Sequence, residues 1–331
     1  MNYILFYYIF PLEPCLFLTT KHASYFILAA YFDTGALKYL YFIVIICLYI
    51  LIICANLLLI VVICMNRGLH EPMYVFLCSL FVNDLYGSTG LFPFLLVQIL
   101  SDIHTVSVPC CFLQVFCLYS FASVEFTNLA VMAYDRYIAI RFPLQYNTRM
   151  TYNKVVMLIV VIWLPPCVAI FVTVSLNASL QLCGNIINKV YCNNYSIMNL
   201  ACSDITVNNI YELTAASLIV SGPVSVILYT YIRILKVCFS GSTQTRQKAV
   251  STCSPHLASL LNFCFGIYFE AKQSRFSMDS VPNVLLTFLS LYFVTCPPLF
   301  NPVIYGLNMS KIRIRCKILI FRFVGKCKRK Q

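Results

Sequence analysis

The sequence predicts an all-α membrane protein, a bundle of seven transmembrane helices with its N-terminus outside, its C-terminus inside and a short amphipathic eighth helix. Three observations lead to this fold class. Hydrophobic residues make up 61% of the 331 residues and charged residues only 10%, with a mean hydropathy of +0.84, whereas a soluble domain carries roughly 25% charged residues. Apolar runs of membrane-spanning length recur along the chain. The basic residues are unevenly distributed between the segments that connect those runs.

Seven runs are long enough to cross a bilayer as a helix, which takes about 20 mainly apolar residues. They cover Leu40–Cys64, Met73–Leu100, Cys110–Ile140, Lys154–Val174, Val207–Cys238, Lys248–Phe269 and Val281–Tyr305. Prolines interrupt several runs, which is tolerated where neighbouring helices satisfy the freed backbone groups. We therefore divide the chain into an extracellular tail (1–38), a seven-helix domain (39–306) and an amphipathic helix with a basic cytoplasmic tail (307–331).

The basic residues indicate the orientation of the bundle. Eighteen of the 23 Lys and Arg residues lie on one side, in or next to the connections that follow the first, third and fifth runs or in the C-terminal segment. Because cytoplasmic connections carry an excess of Lys and Arg, this side is predicted to be cytoplasmic. The net charge of +12 then belongs to a surface beside the lipid bilayer, and we expect no nucleic-acid partner.

The N-terminal segment allows more than one interpretation. Met1–Phe10 is apolar, as in the core of a signal peptide, but no basic residue precedes it and Glu13 follows closely. A further span across Met1–Phe32 would have to bury both Glu13 and Lys21. We favour an extracellular tail.

Five of the eighteen cysteines are informative because they lie at the outer end of the predicted bundle, on the oxidising side. They are Cys110 and Cys111 at the start of the third run and Cys183, Cys192 and Cys202 in the long connection that follows the fourth. A bridge from that connection to the third helix would hold it over the mouth of the bundle, but the sequence alone does not fix the pairing.

Two glycosylation sequons also lie on the outer side, at Asn177-Ala-Ser and Asn194-Tyr-Ser. Asn194 is the better candidate, because Asn177 lies close to the end of the fourth run.

Two carboxylates fall in the middle of predicted spans, Asp84 in the second and Glu125 in the third. Acids at this depth are costly and commonly functional. We expect them to meet Asn56 and Asn301 in one polar site. Such a site would bind a sodium ion or hold a proton, because two like charges repel each other there. The alternative is a hydrogen-bonded cluster that only fixes helix packing. No other cofactor and no other metal is expected.

An acid and a base, Asp135 and Arg136, stand side by side at the cytoplasmic end of the third run. Arg136 could simply extend to the membrane interface as a marker of topology. The pair could also be a latch that opens on activation, and spacing does not choose between these interpretations.

Catalytic motifs are absent from the sequence. The four histidines have no metal-ligand spacing, and there is no nucleophile elbow, phosphate-binding loop or zinc-protease motif. We therefore do not expect an enzyme.

Six stretches resemble the olfactory receptors, a branch of the rhodopsin-like G-protein-coupled receptors, and look most like the fish-type members. They are LHEPMYVFLCSLFVNDL (69–85), MAYDRYIAI (132–140), LACSD (200–204), TYIRIL (230–235), KAVSTCSPHL (248–257) and PLFNPVIYGLN (298–308). Each one falls on the side of the membrane that the family requires. The resemblance covers about residues 26–322. Three features depart from it: Arg141 stands where the family usually has Cys, the N-terminal sequon is missing, and the first 20 or so residues match nothing recognisable.

The resemblance implies an odorant receptor in the cell membrane, in the cilia of olfactory sensory neurons. Its partners would be a small odorant and a heterotrimeric G protein of the stimulatory or olfactory type, through which it would raise cyclic AMP. It implies that Asp135 restrains Arg136 at rest. The residues that it assigns to coupling and activation are Asp135, Arg136, Tyr137, Tyr231, Lys248, Asn301, Pro302 and Tyr305. It also implies the disulfides Cys111–Cys192 and Cys183–Cys202.

An odorant site is expected in the outer third of the bundle, between the third, fifth, sixth and seventh helices. Counting back from Arg136 in helical turns gives four candidates on the third helix, Leu118, Tyr119, Ala122 and Ser123. The fifth, sixth and seventh helices offer the further candidates Glu212, Ala215, Ala216, Ile219, Ile267, Tyr268, Leu291 and Thr295. Each of these residues could equally serve helix packing. Leu118 occupies the place where amine receptors keep an acid, which argues against a biogenic amine.

Two other functions remain compatible with the sequence. A receptor of the same fold could sense an internal metabolite outside the nose. A channel or transporter would instead show ionic current or flux with no G protein present.

Overall fold

Eight long helices account for most of the fold. The computed structural model describes residues 24–31, 35–240, 243–275 and 283–328. The long helices are α1 (Leu37–Met65), α2 (Pro72–Leu100), α3 (Val108–Arg141), α4 (Tyr152–Ala178), α5 (Thr206–Ser240), α6 (Thr243–Arg275), α7 (Asn283–Asn308) and α8 (Ser310–Lys328). Each predicted span corresponds to one of the first seven, and α8 is the predicted eighth helix. Residues 1–23 of the expected tail and the side chain of Lys248 lie outside the described part.

Within the described residues, six helices are long and apolar enough to cross a membrane: α1 to α5, and Leu285–Asn308 of α7. The remaining long helix of the bundle, α6, carries Pro255, His256 and Asn262 along its length. It still packs inside the bundle, since Phe263 is fully buried and meets Phe126 at a ring-centroid distance of 4.9 Å. The predicted seven-helix bundle is therefore confirmed, with α6 as its most polar member.

Burial divides the helices into central and peripheral ones. In the apolar part of α3, 61% of residues are buried, against 17% in α1. Exposed apolar residues on α1, such as Ile43 and Leu51, face the surroundings where a membrane protein meets lipid tails. Because α3 is enclosed by its neighbours, polar residues on it must find partners inside the protein.

A small sheet on the predicted outer side was not anticipated. Strand β1 (Tyr25–Leu28) pairs antiparallel with β2 (Thr105–Ser107) and parallel with β3 (Ile186–Ile187), so the strand order is β2-β1-β3. Phe26 and Leu28 point inward and are buried. Strands this short carry too little alternation to be recognised in a sequence.

Two disulfides fasten the connection between α4 and α5. Cys111 on α3 is bonded to Cys192, and Cys183 is bonded to Cys202. The side chain of Gln114 adds a hydrogen bond, its Oε1 accepting from the backbone N–H of Cys192 at 2.8 Å. These are the pairs that the resemblance implied. We call residues 179–205 the lid, because they cover the outer end of the bundle.

The structure argues against both sequons. Asn177 and Asn194 are buried, with side-chain exposures of 1% and 0%. The Asn177 amide nitrogen donates to Asn194 Oδ1 at 2.8 Å, and the Asn194 amide nitrogen donates to Glu212 at 2.9 Å. A glycan on either nitrogen would displace that hydrogen bond, so this packing does not favour the expected glycosylation at Asn194 and Asn177, which stays a prediction.

Replacement of Cys192 by Ser should destabilise the lid and reduce the receptor at the cell surface. Removal of a native disulfide commonly costs about 2 to 5 kcal/mol. Cys47→Ser is the control, because Cys47 is exposed and outside both disulfides. Surface staining of intact cells measures the effect, and equal staining of the two variants would contradict it.

Replacement of Gly266 by Ala should separate α6 from α7. A Cβ atom at Gly266 would lie 2.8 Å from the backbone Cα of Phe293, whereas one at Gly222 of α5 would meet nothing within 4 Å. Overpacking of this kind costs about 1 to 3 kcal/mol. Thermal unfolding of the purified protein should therefore show a lower midpoint for Gly266→Ala than for Gly222→Ala, which has the same change in helix propensity.

Candidate functional site

A cavity of about 270 Å³ lies between α3, α4, α5, α6 and α7 beneath the lid. Nine of the twelve predicted ligand residues line it. They are Leu118, Tyr119, Ala122, Ser123, Glu212, Ala215, Ala216, Ile219 and Ile267. Its volume is close to the lower end of the range for small-molecule sites, roughly 300 to 1,000 Å³.

Three predicted residues do not line this cavity. Tyr268 is 60% exposed and points away from the bundle, because it is one residue beyond the inward-facing Ile267. On α7 it is Phe293 that forms the wall, while Leu291 packs against neighbouring apolar residues and Thr295 also stays outside the lining. The helical phase chosen for α7 therefore differs from that of the wall of this cavity.

Several lining residues were missed by the sequence analysis. Tyr191 and Tyr195 come from the lid, and Ile170 and Thr173 come from α4. Periodicity gives no signal for a lid residue, because its place depends on the disulfides and not on a helix repeat. Glu270 of α6 was also missed, although it lies one turn after Ile267.

Charged groups gather at the outer end of the cavity. Glu270 Oε1 accepts a hydrogen bond from the Asn193 side chain at 2.9 Å and lies 3.6 Å from Lys189 Nζ. Lys189 belongs to the lid and is 7% exposed. Its burial lowers the pKa of the ammonium group, and the nearby carboxylate of Glu270 opposes that shift.

A second polar site lies deeper in the bundle, centred on Asn301 of α7. Its amide nitrogen lies 3.2 Å and 3.1 Å from the two carboxylate oxygens of Asp84 and 3.1 Å from Glu125 Oε1. All three residues are fully buried. One amide group therefore joins α2, α3 and α7.

The residues that form this site differ in part from those expected. Asn56 donates to the backbone carbonyls of Ile52 and Pro298, each at 2.9 Å, so its amide nitrogen serves the backbone of α1 and α7. Asn83 donates to Glu125 Oε2 at 3.0 Å and Ser259 donates to Asn301 Oδ1 at 2.6 Å. The sequence analysis missed these last two, since neutral polar residues inside a span carry no distinctive signal.

The acid and base at the inner end of α3 form an ion pair. Arg136 Nε donates to Asp135 Oδ2 at 3.1 Å, and the guanidinium makes a second, shorter contact with the same oxygen. Tyr146, in the short connection to α4, donates to Asp135 Oδ1 at 2.6 Å. Asp135 is fully buried and Arg136 is 13% exposed. We call this arrangement the inner ion pair.

The other predicted switch residues surround the inner ion pair or lie above it. Tyr137 is buried and packs edge-on against Tyr229 of α5 at 6.2 Å. Tyr305 is buried on α7, against Phe81, and Pro302 beside it is within the same helix. Tyr231 reaches His256 of α6, as described next.

His256 of α6 ties three helices together. Its Nε2 lies 2.8 Å from the carbonyl oxygen of Leu129 on α3, and its Nδ1 lies 2.5 Å from the Tyr231 hydroxyl on α5. Because a carbonyl can only accept, Nε2 carries the proton and Nδ1 accepts from Tyr231. His256 was not among the predicted site residues.

The fold is that of a rhodopsin-like receptor. The crystal structure of squid rhodopsin aligns with a TM-score of 0.69 over 89% of each chain, at 17% sequence identity. At this identity the likeness defines the fold alone.

Sequence comparisons give the family. A model of the olfactory receptor family matches residues 45–322. Human olfactory receptor 11A1 is 36% identical over 292 residues, covering 87% of this chain and 90% of that receptor. Mouse olfactory receptor 1M1 is 32% identical over 284 residues, covering 84% and 89%.

The chain belongs to the olfactory receptor family. The resemblance found in the sequence is thereby confirmed, and with it a multi-pass membrane protein that is a receptor and not an enzyme. The fish-type assignment stays a prediction.

Replacement of Asn301 by Leu should lower the stability of the bundle markedly. It leaves Asp84 and Glu125 buried without their shared donor, and loss of one partner from a buried charged group costs about 3 to 5 kcal/mol. Asn308→Leu is the control, since Asn308 is exposed at the end of the same helix and donates only to Ile304. Equal thermal midpoints for the two purified variants would show that the amide is not needed.

Proposed function

We propose that this olfactory receptor binds a small odorant in the cavity between α3, α5, α6 and α7 and activates a heterotrimeric G protein of the stimulatory or olfactory type, raising cyclic AMP. The proposal rests on the observation that α3 contributes to two sites, one near each of its ends. Leu118 and Ser123 line the cavity, and Asp135 holds Arg136 at the opposite, cytoplasmic end of the same helix. The expected location is the membrane of sensory cilia.

The resting state is supported by contacts that hold α6 against α3 and α5. The hydrogen bonds of His256 to Leu129 and Tyr231 would have to break if the inner end of α6 moved outward. That movement would leave Arg136 room to release Asp135 and turn toward the G protein. Lys248 begins the moving segment, and Asn301, Pro302 and Tyr305 of α7 would adjust with it.

An odorant would favour the open state only if it bound that state more tightly than the closed one. The cavity wall includes residues of α5, α6 and α7 as well as α3. A ligand in contact with all four helices can therefore change their relative positions, which a ligand held by one helix could not do.

The buried site of Asp84 and Glu125 fits a bound sodium ion or a shared proton. The oxygens that could coordinate a cation here belong to carboxylate and amide groups, which suit a hard cation. Within the described structure, the hydroxyl of Ser88 and the amide oxygen of Asn83 are buried with no hydrogen-bond partner. A sodium ion held by this chain's oxygens would cancel one of the two negative charges and so favour the closed bundle.

Arg136→Ala should abolish odorant-stimulated cyclic AMP while the receptor still reaches the cell surface. The guanidinium is the group that would contact the G protein once Asp135 releases it. Arg141→Ala is the control, because Arg141 is exposed at the same helix end and lies outside the inner ion pair. Full signalling by Arg136→Ala in a cell-based cyclic AMP assay would refute its role.

Tyr146→Phe should raise signalling in the absence of odorant. It removes the hydroxyl that donates to Asp135 at 2.6 Å, a loss of about 1.5 to 3 kcal/mol for a hydrogen bond to a charged group. With less support, Asp135 would hold Arg136 less firmly. Tyr152→Phe supplies the comparison, since Tyr152 is 81% exposed in the next segment. Basal cyclic AMP normalised to surface receptor is the measurement, and equal basal levels would contradict the expectation.

A further inference from the structure

A second cavity lies on the outside of the bundle, between α3, α4 and α5. It is an open groove of about 400 Å³ with a mainly apolar lining, and we call it the α4–α5 groove. The apolar parts of α4 and α5 are only 22% and 17% buried, so most of their surface meets lipid tails. Leu218, which lines the groove, is 68% exposed. The groove therefore opens toward the bilayer.

A thin wall separates the α4–α5 groove from the odorant cavity. Ala215 and Ile219 of α5 line both spaces. On α4, Ala169 lines the groove and the next residue, Ile170, lines the cavity. The wall is thus about one side chain thick, and at Ala215 that side chain is a single methyl group. A small movement of this wall would join the two spaces.

The wall stands where the backbone of α5 lacks a hydrogen bond. Pro223 lines the groove and has no N–H, so the carbonyl of Ile219, one turn earlier, loses its helical donor. Pro165 and Pro166 remove two further donors on the α4 side of the groove. Sharp bends in helices commonly occur at prolines. Both helices that border the groove can therefore deform here at less cost than along a regular stretch.

The route from water is closed more firmly. Residues 190–194 of the lid are each no more than 5% exposed. The disulfide of Cys192 with Cys111 holds this stretch to α3, and Asn194 accepts a hydrogen bond from Asn177 of α4 at 2.8 Å. A molecule that entered through the lid would have to displace a covalently attached segment and break buried hydrogen bonds, which is costly.

We propose that odorants enter the cavity laterally from the bilayer, through the α4–α5 groove and past Ala215 and Ile219. This inference rests on the proposed function, because it takes the cavity as the odorant site. The route selects a class of ligand, namely neutral and mainly apolar molecules that dissolve in lipid. Apolar groups leave water favourably, so the bilayer concentrates such molecules beside the groove, whereas an ionised molecule stays in water.

Labelling of a thiol inside the cavity measures entry directly. Ser123→Cys places a thiol on the cavity wall with little change of shape. The purified full-length variant in lipid nanodiscs is treated with ethyl methanethiosulfonate, which is neutral and lipid-soluble. The thiolate attacks the thiosulfonate sulfur, a disulfide to the ethylthio group forms, and methanesulfinate leaves. Mass spectrometry of the peptide containing position 123 gives the rate, and half-buried Cys264, outside the cavity lining, reports general loosening.

In this background, Leu218→Trp should fill the groove from the lipid side and slow labelling at position 123 about tenfold, or about 1.4 kcal/mol on the barrier. Leu228→Trp is the control, since Leu228 is 58% exposed on the same helix and outside the groove lining. A loss of stability would speed labelling at both positions, so it cannot imitate this result. Equal rates in the two variants, or no labelling at position 123 without them, would overturn the inference.

Tyr211→Phe should have the opposite effect. The Tyr211 hydroxyl of α5 donates to the carbonyl of Ala169 on α4 at 3.3 Å, and both residues line the groove. Without this bond the groove should widen, so labelling at position 123 should quicken relative to Cys264. Tyr268→Phe on α6 is the control, because Tyr268 is 60% exposed and lines neither space. An unchanged ratio of the two rates counts against entry past Tyr211.

A charged reagent separates the two routes. The 2-sulfonatoethyl methanethiosulfonate ion carries the same reactive group but does not dissolve in lipid. We expect it to label position 123 far more slowly than the ethyl reagent, after both rates are divided by those with a free thiol in water. Equal corrected rates would reveal an aqueous path through the lid and overturn the inference.

Failure of this inference can be told apart from failure of the proposed function, because labelling needs no odorant and no G protein. A receptor that raises cyclic AMP in response to an odorant but is labelled equally fast in Leu218→Trp and Leu228→Trp keeps its function and loses the lateral route. Slower labelling in Leu218→Trp alone, without any cyclic AMP response, supports the route and counts against the proposed signalling.

Discussion

The bundle depends on one constraint, which is that two carboxylates are buried away from bulk solvent. Asp84 on α2 and Glu125 on α3 are both fully enclosed. Both carboxylates accept hydrogen bonds from the amide of Asn301 on α7, and Glu125 also accepts one from Asn83 on α2. Since a buried charge without partners is strongly destabilising, these helices can pack in few other arrangements. The site therefore fixes the middle of the bundle.

The two ends of the molecule are built differently around this middle. At the outer end, disulfides and the small sheet hold the lid over the cavity. At the inner end, the contacts include two ion pairs, Arg136 with Asp135 and Lys311 with Glu71. Hydrogen bonds join Tyr146 to Asp135 and His256 to its two neighbours. Covalent bonds resist rearrangement and hydrogen bonds exchange readily, so the structure is rigid over the cavity and adaptable where a G protein would bind. This asymmetry suits a receptor that transmits a signal inward.

Particular residues show how much of the cavity lining can be predicted from the sequence. Leu118, Ala122 and Ser123 were found by counting turns back from Arg136 along α3, because a helix repeats every 3.6 residues. On α7, where no such anchor residue fixed the helical phase, Leu291 and Thr295 were chosen, whereas Phe293 lines the cavity. Counting turns could not reach Tyr191, which is held by the fold of the lid, whereas Glu270 lies one turn after Ile267 on α6 and was within reach of the same counting.

The sequence by itself determined the seven spans, their orientation, the acids at mid-depth and the family, because lipid demands long apolar helices and the family motifs are contiguous in the chain. Tertiary structure alone decided which polar groups meet. Asn301 reaches Asp84 across 217 residues of chain, and His256 reaches Leu129 across 127. It also decided that the sequon asparagines are buried and that Tyr191 of the lid lines the cavity. Contacts of this range depend on the packing of whole helices, which no local pattern of residues records.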